Sequence, residues 1–392
     1  MRRCFLAALI LAAASRAWAA DSGWTRFTAF YKAACEKHGI VGSGIAVVKS
    51  GRIVARSVFG YQDLATRRLV DDETIFHWAS ITKTFTGIAM LQLRDRGLLN
   101  LDDPAVKYLP ELRAVHDPFG DVSEITLRHL MTHSAGFRAG TWPWGGDKPW
   151  HPFEPKRYEQ LVAMLPYTEI LFKPGSRHSY SNPGIVFLGR IIEQLSGDDF
   201  EVYVDKNILK PLEMHRSYFD RSPYHLVKHR SHGYVTDDSG LREQPFDFDT
   251  GVTVSNGGLM APIPDMAKYL AFLLGDEPAR RDVYEGVLKR ASLEEMWQPE
   301  IRIAPAESTE GGEQSIGLSF FLEQHAGRKL IGHSGDQGGF ISHFYVDPSA
   351  RAAYIVSFNT DARSKTKGDA QSSRALDAAL RDEILKILPR LP

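Results

Sequence analysis

Three short groups of residues in this 392-residue chain could together carry out acyl transfer. The first is Ser80-Ile81-Thr82-Lys83. A serine hydroxyl is a poor nucleophile until a neighbour takes its proton, and a lysine desolvated at a helix N-terminus is neutral enough to do so. Ser80 opens a predicted helix running through Met90, Leu91 and Leu93, so the i,i+3 spacing sets Lys83 one turn along on the same face. The helix start also presents backbone N–H groups where an oxyanion would form. The second group, Tyr180-Ser181-Asn182, is the sole Tyr-x-Asn of the chain and follows Pro174-Gly175, a turn that places it on a loop. A tyrosine there can relay protons, and Asn182 can hold a substrate amide. The third, His333-Ser334-Gly335, ends a predicted strand, and Gly335 would let a substrate backbone lie along the strand edge.

Singly, each group has a plainer explanation. Ser80 alone reads as a helix N-cap, and Tyr180 as a packed turn residue. A second Ser-x-x-Lys, Ser364 to Lys367, lies in a polar, turn-like stretch and reads as solvated surface. What gives the three groups weight is the set of elements around them. β-Branched runs Gly44 to Lys49 and Arg52 to Gly60 flank Ser50-Gly51 as a hairpin. Ser315 to Glu323, Lys329 to His333, Phe340 to Asp347 and Ala352 to Asn359 read as four more strands, so both ends of the chain build one antiparallel sheet. Trp24, Phe27, Tyr31 and Ala34 line one face of an opening helix that stops at Gly39, and Leu376, Leu380, Ile384 and Leu388 line a closing one. The middle alternates helical stretches such as Ile185 to Leu195 with loops. The expected fold is α+β: an α/β sandwich subdomain, residues 20–97 and 250–392, has its antiparallel sheet flanked by helices, and residues 98–249 form an inserted, mainly helical subdomain. A cleft between two such units is a usual ligand site.

Composition narrows the partners. With 47 basic and 48 acidic side chains and no long Lys/Arg run, the chain lacks the concentrated basic face that nucleic acid requires. A hydrophobic fraction of 43%, with aromatic residues making up 11% of the chain, describes a globular chain with a large core. Residues 1–19 read as an export signal: Arg2 and Arg3 precede an apolar run from Phe5 to Ala14, and Ala17-Trp18-Ala19 offers small residues for cleavage. That run is too short to span a bilayer, so no transmembrane anchor is expected in the mature chain. Arg2-Arg3 also resembles a twin-arginine signal, as the lesser alternative. The expected location is the periplasm or outside the cell. Cleavage would remove Cys4, so Cys35 could form no internal disulfide, and a packing role suits its helical position.

In their order, the three motifs resemble those of the serine β-lactamase and penicillin-binding-protein superfamily, nearest its class C β-lactamase, D-alanyl-D-alanine carboxypeptidase and esterase branch. Supporting stretches are Leu130-Met131-Thr132-His133-Ser134-Ala135-Gly136, Pro174-Gly175 before the tyrosine motif, and Gly257-Gly258-Leu259-Met260 before a helix. The resemblance implies a β-lactamase/transpeptidase-like fold with Ser80 as nucleophile, Lys83 and Tyr180 as the proton-handling pair, and Asn182 as a ligand of substrate and Lys83. It further implies substrate contacts from His333, Ser334 and Gly335, an oxyanion hole from the N–H groups of Ser80 and Asp336, and neither cofactor nor metal. Whether Lys83 or Tyr180 is the acylation base stays open. So does oligomeric state.

The third motif departs from the Lys-Thr-Gly usual in class C β-lactamases. A lysine there is a permanent cation for a substrate carboxylate, whereas histidine is mostly neutral above pH ~6.5. Asp336 adds a carboxylate where a small residue is expected. The expected partner is therefore a small-molecule or peptide substrate, a less anionic amide or ester (D-amino-acid peptide, ester or β-lactam), with weak β-lactamase activity. The alternative is a non-hydrolytic penicillin-binding or sensor protein. Trp142, Trp144, Trp150 and Phe153, within Phe137 to Pro155, would wall the cleft or pack as a lid.

Two rival sites follow from other motifs. Gly332-His333-Ser334-Gly335-Asp336 nearly matches a Gly-x-Ser-x-Gly elbow, but Asp336 replaces the second glycine and only His343 lies downstream, inside a strand. His225, His229 and His232 could hold a metal, although surface histidines near Gly233-Tyr234 are the simpler reading.

Overall fold

The computed structural model describes residues 22–140, 155–246, 250–305, 313–363 and 371–391. The expected export signal, Trp142, Trp144, Trp150 and Phe153, and Ser364 to Lys367 lie outside them. A nine-stranded antiparallel sheet organises the molecule. Its strands in chain order are β1 (Gly42–Lys49), β2 (Arg52–Asp63), β3 (Arg68–Leu69), β4 (Ile301–Arg302), β5 (Glu313–Ile316), β6 (Phe321–His325), β7 (Arg328–Gln337), β8 (Phe340–Asp347) and β9 (Ala352–Phe358). Their spatial order is β3-β2-β1-β9-β8-β7-β6-β5-β4. The hairpin from the N-terminal end meets β9, with Ile45 opposite Val356, so both ends of the chain do build the sheet.

Strands that read as nearly continuous apolar runs are buried on both faces, because successive side chains alternate sides. Ile45 and Val47 enter one core with Tyr354 and Val356, while Ala46 and Val48 enter another with Ala353 and Ile355. The first core is closed by α1 (Ser22–Lys37) and the C-terminal helix Ser373–Ile387, through Phe27, Tyr31, Leu376, Leu380 and Ile384. Cys35 is buried in that core, and burial pushes its thiol up to about 12, so it packs and does not react. The opposite face carries α2 (Thr82–Asp95), α3 (Asn182–Ser196), α4 (Val254–Gly257) and α5 (Ile263–Leu274), and the C-terminal helix is α6.

Two strand expectations are corrected. Ser315 to Glu323 is two strands, because Gly317 starts a turn in which its N–H bonds the Phe320 carbonyl and Ser319 turns left-handed at φ +65°. A Cβ on Gly317 would sit 2.2 Å from the Met296 carbonyl oxygen, so only glycine fits there. Strand β7 does not end at His333 but runs on to Gln337, carrying the whole His333-Ser334-Gly335 motif in extended backbone. β6 pairs with β7 only as far as Gly332, so among the described residues no strand covers that edge beyond it. The exposed edge of β7 becomes one wall of the cleft.

Candidate active site

Ser80 sits in a single 3₁₀ turn, Ala79–Ile81, just ahead of α2 rather than inside its first turn. It makes no capping bond, which removes the N-cap explanation. The turn is pinned from three sides. Trp78 donates its backbone N–H to the Leu259 carbonyl at 2.9 Å and its indole N–H to Ala261 at 2.8 Å. Thr82 Oγ1 donates to the Ala79 carbonyl and accepts the Leu259 N–H. From the sheet, Gly335 meets the Trp78 carbonyl so closely that a Cβ there would lie 2.3 Å from its oxygen. A close neighbour that demands glycine at 335 is therefore the turn that carries Ser80.

One turn along α2, Lys83 is fully buried, with Nζ 2.9 Å from Ser80 Oγ and donating to the Asn256 carbonyl at 2.8 Å. Among the described residues no carboxylate pairs with it. Burial alone holds its pKa well below the usual lysine value, favouring the neutral amine. The Tyr180 ring lies under that amine, its centroid 4.9 Å from Nζ. Burial raises the phenol's pKa, an effect partly offset by its hydrogen bond to Ser80, so the hydroxyl stays protonated. An amine whose charged form burial disfavours and an intact phenol thus converge on one serine oxygen.

Tyr180 and Ser181 lie on the loop as expected, but Asn182 is the first residue of α3, with Ser181 as its N-cap accepting the Gly184 N–H. Asn182 lines the cleft, and its backbone carbonyl accepts from Asn256 Nδ2 at 3.3 Å. The lysine's holding partner is thus Asn256, two residues before the noted Gly258, where the sequence reading had placed Asn182. Nothing in the sequence marks a main-chain carbonyl as a ligand, so that role was missed.

His333 projects from β7 to the Ser80 side of the sheet, packed edge-on against Phe321 at 5.0 Å. Burial, and next the Lys83 amine, lower its pKa to about 3, so the imidazole is neutral. Its Nδ1 lies 2.6 Å from the Ser334 carbonyl oxygen and must carry the proton, which leaves Nε2 as a bare acceptor. Ser334 and Asp336 alternate to the other face, where Asp336 pairs with Arg374 at the start of α6. The carboxylate that stood out in the sequence is thus neutralised by a cation 38 residues away. The cleft, about 490 Å³, joins Ser80, Tyr180, Asn182 and His333 on one side to Ser334, Asp336 and Arg374 on the other.

Neither rival site assembles. Ser334 is mid-strand and lies opposite His343, whose Nδ1 is 2.7 Å from the Asp377 carboxylate, but no strand-to-helix turn exposes the hydroxyl. His229 is buried beside Glu73 and Arg68, not on the surface, and His232 bonds Glu243. Among the described residues no three His, Cys, Asp or Glu side chains are grouped to hold a metal.

A family description, Beta-lactamase, matches residues 27–379. Protein flp of Staphylococcus aureus (strain COL) is 25% identical over 324 residues, 83% of this chain and 60% of the relative. Beta-lactamase-like protein 4 of Dictyostelium discoideum is 27% identical over 84% of this chain and 58% of its own length. The chain therefore spans about three-fifths of the curated relatives it matches. Among solved structures, the octameric penicillin-binding protein homologue from Pyrococcus abyssi aligns with a TM-score of 0.76 and 30% identity, over 93% of this chain and 77% of that one. D-amino acid amidase from Ochrobactrum anthropi SV3 aligns with a TM-score of 0.75 and 20% identity, over 94% and 99%, a likeness of fold.

Proposed function

Because the chain belongs to the beta-lactamase family, we propose that it is a serine hydrolase that forms an acyl-enzyme on Ser80 from an amide or ester substrate. The observation that carries the reading is the buried Lys83 amine 2.9 Å from Ser80 Oγ, whose pKa burial holds well below the usual lysine value. A neutral amine at that distance is a general base in hydrogen-bond reach of the proton it must take. Lys83 accepts the Ser80 proton as Oγ attacks the substrate carbonyl. The developing oxyanion is held by the N–H groups of Ser80 and Asp336, and Asn182 holds the substrate amide. When the bond to the leaving group breaks, the Tyr180 hydroxyl donates a proton to it and regains one from the Lys83 ammonium. Water then attacks the acyl carbonyl and gives up a proton to the same pair, which passes it to Ser80 Oγ as the acyl–Oγ bond breaks and the acid product leaves.

A neutral His333 offers the substrate an acceptor instead of the fixed cation a carboxylate needs, which supports an uncharged amide or ester over an anionic β-lactam. The amidase fold neighbours agree with an amide of a D-amino acid. The reading includes export through residues 1–19, supported by their charged, apolar and small-residue order.

The decisive test is intact mass after brief mixing with D-phenylalanine amide, a D-alanyl-D-alanine peptide, an activated ester and a penicillin, with Ser80→Ala as control. A Ser80-dependent adduct or turnover supports the reading. No reaction with any of them refutes it. Expression with the native N-terminus checks export, since cleavage after Ala19 gives a mature mass beginning at Ala20.

A further inference from the structure

Tyr180 must be held to within a fraction of an ångström of Ser80, yet it lies on a loop between Pro174-Gly175 and α3. What fixes it is His133, a residue of the Leu130–Gly136 stretch without a role so far. The His133 carbonyl accepts the Ser179 N–H at 2.8 Å, and its Nδ1 accepts the Ser181 N–H at 3.1 Å. The residues on either side of Tyr180 are thus both tied to one side chain and its own backbone. The two rings also pack against each other at a tilt, with centroids 4.4 Å apart and planes 33° from parallel.

We propose that His133 is a positioning residue that clamps Tyr180 and so aligns its hydroxyl with Ser80 Oγ. The inference rests on the proton-handling role given to Tyr180. Two further features suit it. His133 is buried and left-handed at φ +51°, a backbone region that most residues other than glycine seldom occupy and that persists where the surrounding structure holds it. Its acceptor Nδ1 also requires the neutral ring, since both nitrogens of a charged imidazole would be donors. The titratable groups facing it are Lys83 on α2, His178 and Tyr180 on the loop and His333 on β7, and burial with the first, second and last keeps its pKa below the ordinary histidine value.

The test uses two variants and two substrates. His133→Asn keeps an acceptor at the same bond distance and tolerates the left-handed backbone. His133→Gly keeps the backbone conformation and the carbonyl bond but removes the acceptor and the ring. On D-phenylalanine p-nitroanilide, whose amine leaving group needs a proton, His133→Gly is expected to lose about 10- to 100-fold in kcat with little change in KM, and His133→Asn about threefold or less. On p-nitrophenyl acetate, whose leaving group departs without one, the loss should be several-fold smaller. Wild-type anilide turnover by His133→Gly, equal losses in the two variants, or equal losses on the two substrates would overturn the clamp. Should the glycine variant not fold, the folded Asn variant decides: rate retained supports the proposal and rate lost refutes it. Tyr180→Phe runs alongside. If it leaves anilide cleavage intact, or if the wild type cleaves neither substrate, the functional reading itself fails. If Tyr180→Phe is impaired while His133→Gly is not, only the clamp fails.

Discussion

Replacing Gly335 by alanine tests whether the sheet fixes the nucleophile. The added Cβ would lie 2.3 Å from the Trp78 carbonyl oxygen and 2.5 Å from Ser342 Oγ, where ordinary contact begins at 3.4 Å. The serine hydroxyl of residue 342 can rotate away, but the Trp78 carbonyl is main chain and its amide is anchored to Leu259. Relief therefore requires the Trp78–Ser80 segment and β7 to part by about 1 Å. Displacement of that size misaligns Ser80 from Lys83 and the oxyanion donors, and costs roughly 100-fold in rate. Overpacking adds about 1–3 kcal/mol of lost stability. The assay is single-turnover acylation monitored by mass or absorbance, with thermal unfolding in parallel. Gly286→Ala is the control, because the helix Arg281–Val287 leaves nothing within 4 Å of the new methyl, and it should gain about 0.5–1 kcal/mol with unchanged activity. A Gly335→Ala protein that acylates at the wild-type rate would refute the argument that this glycine serves the nucleophile turn.

Other outcomes follow from the buried charges. Lys83→Met should abolish at least about 100-fold of acylation and also stabilise the protein at neutral pH. The folded-state pKa of Lys83 lies below its unfolded value near 10.5, so the unfolded chain binds the extra proton, and the stability gap should close as pH rises toward 10.5 in denaturant titrations. His77 at about 4, His333 at about 3 and His133 are likewise depressed, mainly by burial. Each contributes stability that is lost as pH falls below ~6.5, at up to about 1.4 kcal/mol per pH unit. Urea midpoints that stay flat from pH 7 to 5 would contradict this. His333→Lys should raise acylation by a penicillin at least about 10-fold relative to D-phenylalanine amide, measured as the ratio of kcat/KM values.

How much of this was legible in the sequence depends on the kind of interaction. The hairpin, β8, β9 and the two helices flanking the first core follow from periodicity, since Ile45 and Val47 against Ala46 and Val48 already encode two buried faces. The Ser80 to Lys83 spacing likewise encodes a shared face. Gly317 and Gly335 were visible as glycines, but their necessity comes from the Met296 and Trp78 carbonyls, which tertiary packing alone brings within reach. The same limit hid Asn256 and His133. One acts through a main-chain carbonyl that any residue type would supply, and the other through an acceptor to a backbone N–H 48 residues away.

The arrangement of charge explains why the third motif can lack a lysine. A base lysine must be kept neutral by a nearby cation or by exclusion of water. Here burial is the one cause acting on Lys83, and His333, the third motif's candidate cation, is itself held neutral mainly by burial. Asp336 would oppose this if it faced the serine, because a carboxylate beside Lys83 would favour the ammonium. Strand alternation turns it to the other face, and Arg374 neutralises it there. The site therefore runs on dryness rather than on a fixed positive field. Its activity should be more sensitive to substitutions that admit water around Lys83 than to ionic strength, because salt screens exposed charges and leaves a desolvation penalty untouched. Comparing anilide kcat/KM from low to high salt with the effect of Phe321→Ser, which opens the wall beside His333 and Tyr180, measures that balance. A large salt effect with an indifferent Phe321→Ser variant would show that a field, and not burial, sets the base.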